Sequence, residues 1–131
     1  MTSESPSSVG ITRGVPSIPE FGFGFDRVGS LRVPELRNVP ITRRLRRLID
    51  HVAFQRLRRV RQLGPTHLVY PGAVHTRFEH SLGVYSCVLM YLKALLQNPV
   101  FASAVRESDL LAVLLVGLLH DIGHYPYAHS L

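Results

Sequence analysis

Leu110-Leu-Ala-Val-Leu-Leu-Val-Gly-Leu-Leu119-His120-Asp121-Ile-Gly-His124 is the stretch on which the fold turns. Ten consecutive apolar residues, Leu110 to Leu119, run straight into an adjacent His-Asp pair. The run falls well short of the roughly 20 residues that span a bilayer. A helix apolar on all sides belongs in the middle of a bundle. His120 and Asp121 at its end are a poor choice for packing, because an unpaired carboxylate and imidazole are expensive to take out of water. A metal ion compensates both groups at once.

Working back from this junction, Thr76-Arg77-Phe78-Glu79 has the form of a capping box, with Thr at the cap and Glu three residues on. The helix it opens carries Leu82, Tyr85, Leu89, Leu92 and Leu96 on one face and ends at Asn98-Pro99. Ser108 or Asp109 is expected to cap the apolar helix that follows. Upstream, Leu45, Leu48, Ile49 and Val52 keep helical spacing, and Phe54, Leu57 and Val60 continue in a shifted phase. The shift predicts two short helices with a break near Asp50-His51, Asp50 capping the second and Gly64-Pro65 ending it. Thr66 to Tyr70 is expected to be a brief extended piece closed by a Pro71-Gly72 turn. Residues 1–40 hold 5 Gly, 5 Pro and 6 Ser and are expected to be flexible or loosely extended. Phe21-Gly-Phe-Gly-Phe25 alternates like a weak strand. The expected fold is therefore all-α over 41–131.

The chain has 131 residues, enough for one domain with a modest core. It is 46% hydrophobic and carries a formal charge of +6, with 14 of its 15 basic residues being Arg. That balance favours phosphate-bearing partners, and Arg suits bidentate phosphate recognition. Eight Arg fall within residues 41–61, so the 43–61 stretch offers weak nucleic-acid binding, or else a solvated basic face. The single cysteine, Cys87, excludes an intramolecular disulfide and a cysteine zinc cluster, and its apolar setting predicts a small core residue. The N-terminus has no continuous hydrophobic signal core, so a cytoplasmic protein without a membrane span is expected.

Seven histidines occur, and four of those in two motif segments are the candidates for chemistry: His80, His120, His124 and His129. His80 falls in the first turn or so of the capped helix. Gly123 and Pro126 end the central helix, releasing His124 and His129 into a loop beside the His-Asp pair. Imidazoles and a carboxylate suit Zn, Fe, Mn or similar divalent ions. Such an ion lowers the pKa of its bound water, and a nearby His can protonate a leaving oxygen. Arg77 would approach the same place if the two helices pack together.

On Phe54-Gln-Arg-Leu-Arg58, Arg61-Gln62-Leu63-Gly64, Tyr70-Pro-Gly-Ala73, His75-Thr-Arg-Phe-Glu-His80-Ser-Leu-Gly-Val84 and His120-Asp-Ile-Gly-His124-Tyr-Pro-Tyr-Ala-His129, the chain resembles the HD-domain metal-dependent phosphohydrolases. The deoxynucleoside triphosphate triphosphohydrolase (dGTPase-like) branch is the nearer match, over residues 41–131. The resemblance implies that His80, His120 and Asp121 ligate a divalent metal (Zn, Fe, Mn or Mg). It implies catalytic roles for His129, as proton donor near the α-phosphate, and for His124. It gives Arg77 a phosphate contact and Gln62 a place near the deoxyribose. The family also uses a further Asp from a later helix, and no acidic residue follows Asp121 here.

The resulting expectation is a truncated HD-domain helical bundle behind a flexible N-terminal segment. The full-length form is expected to be a homo-oligomer that hydrolyses (deoxy)nucleoside triphosphates to nucleoside and triphosphate. The alternative is an inactive fragment acting as a metal-, nucleotide- or nucleic-acid-binding module.

Overall fold

The structure, a computed structural model, describes residues 18–22, 27–33 and 37–126. It is mostly helical, with one small antiparallel ribbon of β1 (Arg27–Val33) and β2 (Arg37–Thr42). The helices are α1 (Arg43–Ile49), α2 (Val52–Gln55), α3 (Arg77–Leu95), α4 (Pro99–Ala104) and α5 (Glu107–Leu119). Two 3-10 turns, Arg56–Arg59 and Gly64–Leu68, lie between α2 and α3. None of the described helices is long and apolar enough to cross a membrane.

The ribbon gives definite form to residues expected only to be loosely extended. Leu31 pairs with Val39 and Gly29 with Ile41. Val39 and Ile41 are buried and face the helices, which is what anchors the ribbon. Thr42 ends β2 and caps α1, its Oγ1 accepting from the Leu45 amide at 3.3 Å. Ahead of the ribbon, Ile18 and Phe21 are buried in the same core. Between them Glu20 accepts from Thr42 Oγ1 at 2.7 Å and from Arg44 Nε at 2.8 Å. Burial alone would raise the Glu20 carboxyl, but these hydrogen bonds and the Arg44 charge hold it below the usual carboxylate range.

The break after Ile49 falls where the phase shift puts it, but the cap differs. Asp50 closes α1, and His51 caps α2, its Nδ1 accepting from the Ala53 amide at 3.3 Å. Thr66 and Leu68 belong to a 3-10 turn rather than an extended piece. Gly64 opens that turn at φ +53°, a left-handed conformation that side chains disfavour. The Tyr70 carbonyl accepts from the Ala73 amide at 2.9 Å, so the Pro71-Gly72 turn forms as expected.

The capping box at Thr76 is complete: Thr76 Oγ1 accepts from the Glu79 amide, and Glu79 Oε2 from the Thr76 amide at 2.7 Å. α3 then presents Leu82, Tyr85, Leu89 and Leu92 to the core. Asn98 caps a short helix that the sequence did not disclose, α4. Arg106, not Ser108 or Asp109, is the cap of α5; Asp109 stands at its third position and pairs with Arg106. α3 and α5 pack against each other closely at Gly117, where a Cβ would come within 3.1 Å of Val88 Cγ2. Leu110, Leu114 and Leu118 line that seam, while Val113 and Val116 on the far side of α5 are exposed. The central position expected for an all-apolar helix is thus filled on one face. Cys87, expected in the core, is exposed on α3.

Candidate metal centre

α5 stops at Leu119, with His120 as its C-cap, so its last turn delivers His120 and Asp121 to the start of α3. His80 comes from the first turn of α3. The start of α3 is itself fixed by a short backbone pairing: the Gln62 amide donates to the His75 carbonyl at 3.1 Å, and the Arg77 amide to the Val60 carbonyl at 2.8 Å.

His80, His120 and Asp121 each offer one ligand atom within 4.8 Å of the others. His80 Nε2 and His120 Nε2 are 3.3 Å apart, and His120 Nε2 lies 3.5 Å from Asp121 Oδ1. Two nitrogens bound tetrahedrally to zinc stand about 3.3 Å from each other. The donor set fits a divalent ion in identity as well as spacing. His120 Nδ1 lies 3.0 Å from the Gly117 carbonyl. A carbonyl only accepts, so Nδ1 carries the proton and the Nε2 lone pair is turned towards His80 and Asp121. Burial pushes the His80 imidazole below its ordinary pKa; the Asp121 charge opposes this, and His120, His75 and Arg77 reinforce it. The neutral ring that results is the form that ligates metal.

Asp121 is buried, which by itself would raise its carboxyl. The Arg77 guanidinium, with His120 and His124 adding to it, nevertheless holds the carboxyl below the usual range. Arg77 Nη1 donates to Asp121 Oδ2 at 2.8 Å, and the two side chains are 1% and 4% exposed. Arg77 thus reaches the junction, as helix packing predicts, but as the buried partner of Asp121. His124 Nδ1 lies 3.3 Å from Asp121 Oδ1, so it joins the same cluster. Gln62 is half-buried and its Oε1 has no hydrogen-bond partner. His129 lies outside the described residues.

One residue of the site escapes the sequence altogether. Arg56 Nη2 donates to the Ile122 carbonyl at 2.8 Å and to the His124 carbonyl at 3.1 Å, clasping the loop after α5 to the 3-10 turn. Its partners are backbone carbonyls, which carry no residue-type signal. Others of the Arg-rich 43–61 run are also engaged internally: Arg44 with Glu20, Arg46 with Asp50, and Arg58 stacked 3.6 Å over the Phe78 ring. Arg47, Arg59 and Arg61 are exposed.

Residues 77–131 match the HD domain family. The chain is 46% identical over 83 residues to the deoxynucleoside triphosphate triphosphohydrolase SAMHD1 of Homo sapiens, covering 63% of this chain and 13% of that protein. It is 48% identical over 83 residues to an uncharacterized protein of Mycoplasma pneumoniae, covering 63% of this chain and 18% of the relative. Among solved structures, a phosphohydrolase from Bacteroides thetaiotaomicron superposes with a TM-score of 0.69 at 36% identity, over 76% of this chain and 24% of that one. A hypothetical protein from Aquifex aeolicus superposes at 0.64 with 44% identity, over 77% and 25% of the two chains. The chain therefore spans between 13% and 25% of the length of these four. The matched segment contains Arg77, His80, His120 and Asp121, so the clustered side chains all fall in the part of the chain that matches the HD domain family.

Proposed function

We propose that His80, His120 and Asp121 hold one divalent metal ion, and that the whole protein hydrolyses (deoxy)nucleoside triphosphates to nucleoside and triphosphate. The observation that carries the metal reading is the 3.3 Å separation of the two imidazole Nε2 atoms beside an ionised, buried carboxylate. The similarity to a deoxynucleoside triphosphate triphosphohydrolase supports the substrate class. When bound, the ion would supply Lewis acidity and an activated water for attack on a phosphate.

The chain's own residues supply the rest. Arg77 keeps Asp121 ionised and aimed. His124, and His129 beyond the described residues, are the candidates to protonate the departing nucleoside oxygen. Gln62 offers Oε1 as an acceptor for a sugar hydroxyl. The resemblance implies a further carboxylate ligand, and no acidic residue follows Asp121; on that reading the 131-residue chain binds metal but turns over no nucleotide. The exposure of Arg47, Arg59 and Arg61 supports a second reading, a weak nucleic-acid contact through phosphates.

Equilibrium dialysis against zinc and manganese tests the centre. One ion per chain is expected, with affinity reduced more than about 100-fold in His120→Ala, since loss of a supporting residue alone typically costs 10–100-fold. Stoichiometric binding that survives loss of both His80 and His120 would sink the assignment. Incubation with each deoxynucleoside triphosphate should release no triphosphate; robust release abolished by His120→Ala would show that the further carboxylate is dispensable. A salt-dependent shift of labelled DNA would favour the second reading.

A further inference from the structure

A loop that leaves a buried helix needs something to fix its course: packing, or a glycine in a conformation other residues avoid. The loop after α5 has neither at Gly123. A Cβ added there would meet nothing within 4 Å, and the described glycines with positive φ are Gly29 and Gly64. Ile122 packs against the edge of the core. The backbone bonds of the loop are local: the Ile122 amide donates to the Leu119 carbonyl at 3.0 Å, and the His124 amide to the Asp121 carbonyl at 3.1 Å. A tether from far away in the sequence does reach it. Arg56 Nη2 donates to the carbonyls on either side of Gly123. One guanidinium nitrogen carries two N–H groups in a fixed plane, so it serves both carbonyls at once.

Arg56 itself stands on a rigid mount. The 3-10 turn that carries it, Arg56–Arg59, is fastened to the start of α3. The Phe54 and Phe78 rings meet edge to face with centroids 5.4 Å apart. Arg58 lies over the same Phe78 ring, and its Nε donates to Gln55 Oε1 at 2.8 Å. Just past the turn, the Val60 carbonyl accepts from the Arg77 amide. Phe54 and Leu57, on either side of Arg56, are fully buried. Arg56 therefore moves with the end of α3 that supplies Arg77 and His80. Its reach to the loop makes that end of α3 and the residues after Asp121 one body.

We infer that Arg56 is a positioning residue for His124, setting the loop so that the imidazole stays beside Asp121, where Nδ1 lies 3.3 Å from Oδ1. Asp121 is gripped separately by Arg77. Arg56 thus governs the place of the His124 ring and leaves the three metal-ligand candidates in place. Without the clasp the loop swings about Ile122 and the ring leaves the carboxylate. The use of His124 as a proton donor rests on the proposed metal-dependent hydrolysis; the clasp does not.

The Arg56 side chain is exposed, so Arg56→Met and Arg56→Lys should keep the fold. Amide hydrogen exchange of the metal-free protein, followed by NMR, reads the loop. In Arg56→Met the Ile122 and His124 amides should exchange roughly 5- to 30-fold faster, the change expected when hydrogen bonds of this strength are lost from a locally opening segment. Amides within α5, such as that of Leu114, should keep their rates. Arg56→Lys should fall between, because a point-like ammonium replaces the planar fork. Loading with cobalt, a paramagnetic ion that takes the same donors, reads the ring. In Arg56→Met the displacement of the His124 ring-proton resonances by cobalt should shrink, while His80 and His120 keep theirs. The cobalt dissociation constant should stay within about 2-fold of the parent, as for a surface substitution. A His124 ring that keeps its full displacement in Arg56→Met overturns the inference. So does exchange that accelerates equally throughout α5, which marks a general loss of stability. Failure of the unmodified chain to bind cobalt sinks the metal reading, and the exchange rates of the metal-free loop still decide the clasp.

Discussion

Replacing Arg77 by Met removes the guanidinium from Asp121 while keeping most of its bulk. The side chains are 1% and 4% exposed, so solvent does not screen the loss. Removing one partner of a buried ion pair costs about 3–5 kcal/mol, because the other charge stays behind uncompensated. Against a total stability of about 5–15 kcal/mol, that is a large fraction. In urea it corresponds to a midpoint lowered by roughly 2 M, given slopes of about 1–3 kcal/mol per M. The pH dependence identifies the mechanism. In the unmodified chain Asp121 lies below its unfolded value of about 3.9, so its stabilisation is present above that value and is lost as pH falls through the lower folded value. Without Arg77, burial is left to dominate and the folded value moves above the unfolded one. The carboxyl then favours the folded state only when protonated, and that support is lost as pH rises through the raised value. The gap between variant and parent should therefore be widest near pH 7 and narrow steadily on acidification. Urea titrations in EDTA at several pH values read both quantities. A cost under about 1 kcal/mol, or a gap that does not change with pH, would refute the buried-pair account.

Three smaller perturbations test other elements. Thr76→Ala removes one half of the capping box on α3 and should cost about 1 kcal/mol in urea denaturation, with Thr76→Ser close to neutral. Gly64→Ala forces a side chain into φ +53° and should cost about 1–2 kcal/mol, whereas Gly64→Asn, which tolerates that conformation, should cost less. Glu20→Gln weakens the tie between the N-terminal turn, Thr42 and Arg44; because the Arg44 side chain is 43% exposed, about 1 kcal/mol or less is expected. The Glu20 carboxyl is held below its ordinary value, so this contribution is present above about pH 4.3 and fades as pH falls through the folded value; equal midpoints for variant and parent at pH 7 would contradict it.

The helical half of the fold was legible because its signals are local. The Thr76/Glu79 box and the Leu82–Tyr85–Leu89–Leu92 face each lie within a few turns of one helix, and the structure reproduces them. The convergence of His80, His120, Asp121 and Arg77 was legible for a different reason: one helix supplies two of them and another the rest, so a single packing event assembles the set. The ribbon was not legible. Val39 and Ile41 alternate inward, but Pro40 lies between them and Gly29 opposite, and both residues ordinarily mark breaks. Pro is tolerated here because a two-stranded ribbon leaves one edge of each strand unpaired. Caps supplied by unusual residues, His51 and Arg106, were missed in favour of nearby acids. Cys87 looked like core because its neighbours are apolar, yet the face of α3 that carries it has nothing packed on it among the described residues.

The two imidazoles of the cluster stand 40 residues apart in the chain. An ion shared between them would act as a reversible cross-link between α3 and α5, present in the folded chain and absent from the unfolded one. Free metal then becomes a thermodynamic variable of folding: at 100 times its dissociation constant it adds about 2.7 kcal/mol. The melting temperature of this chain should accordingly rise with the logarithm of zinc concentration, and a chelator should erase that increment and leave the apo stability in place.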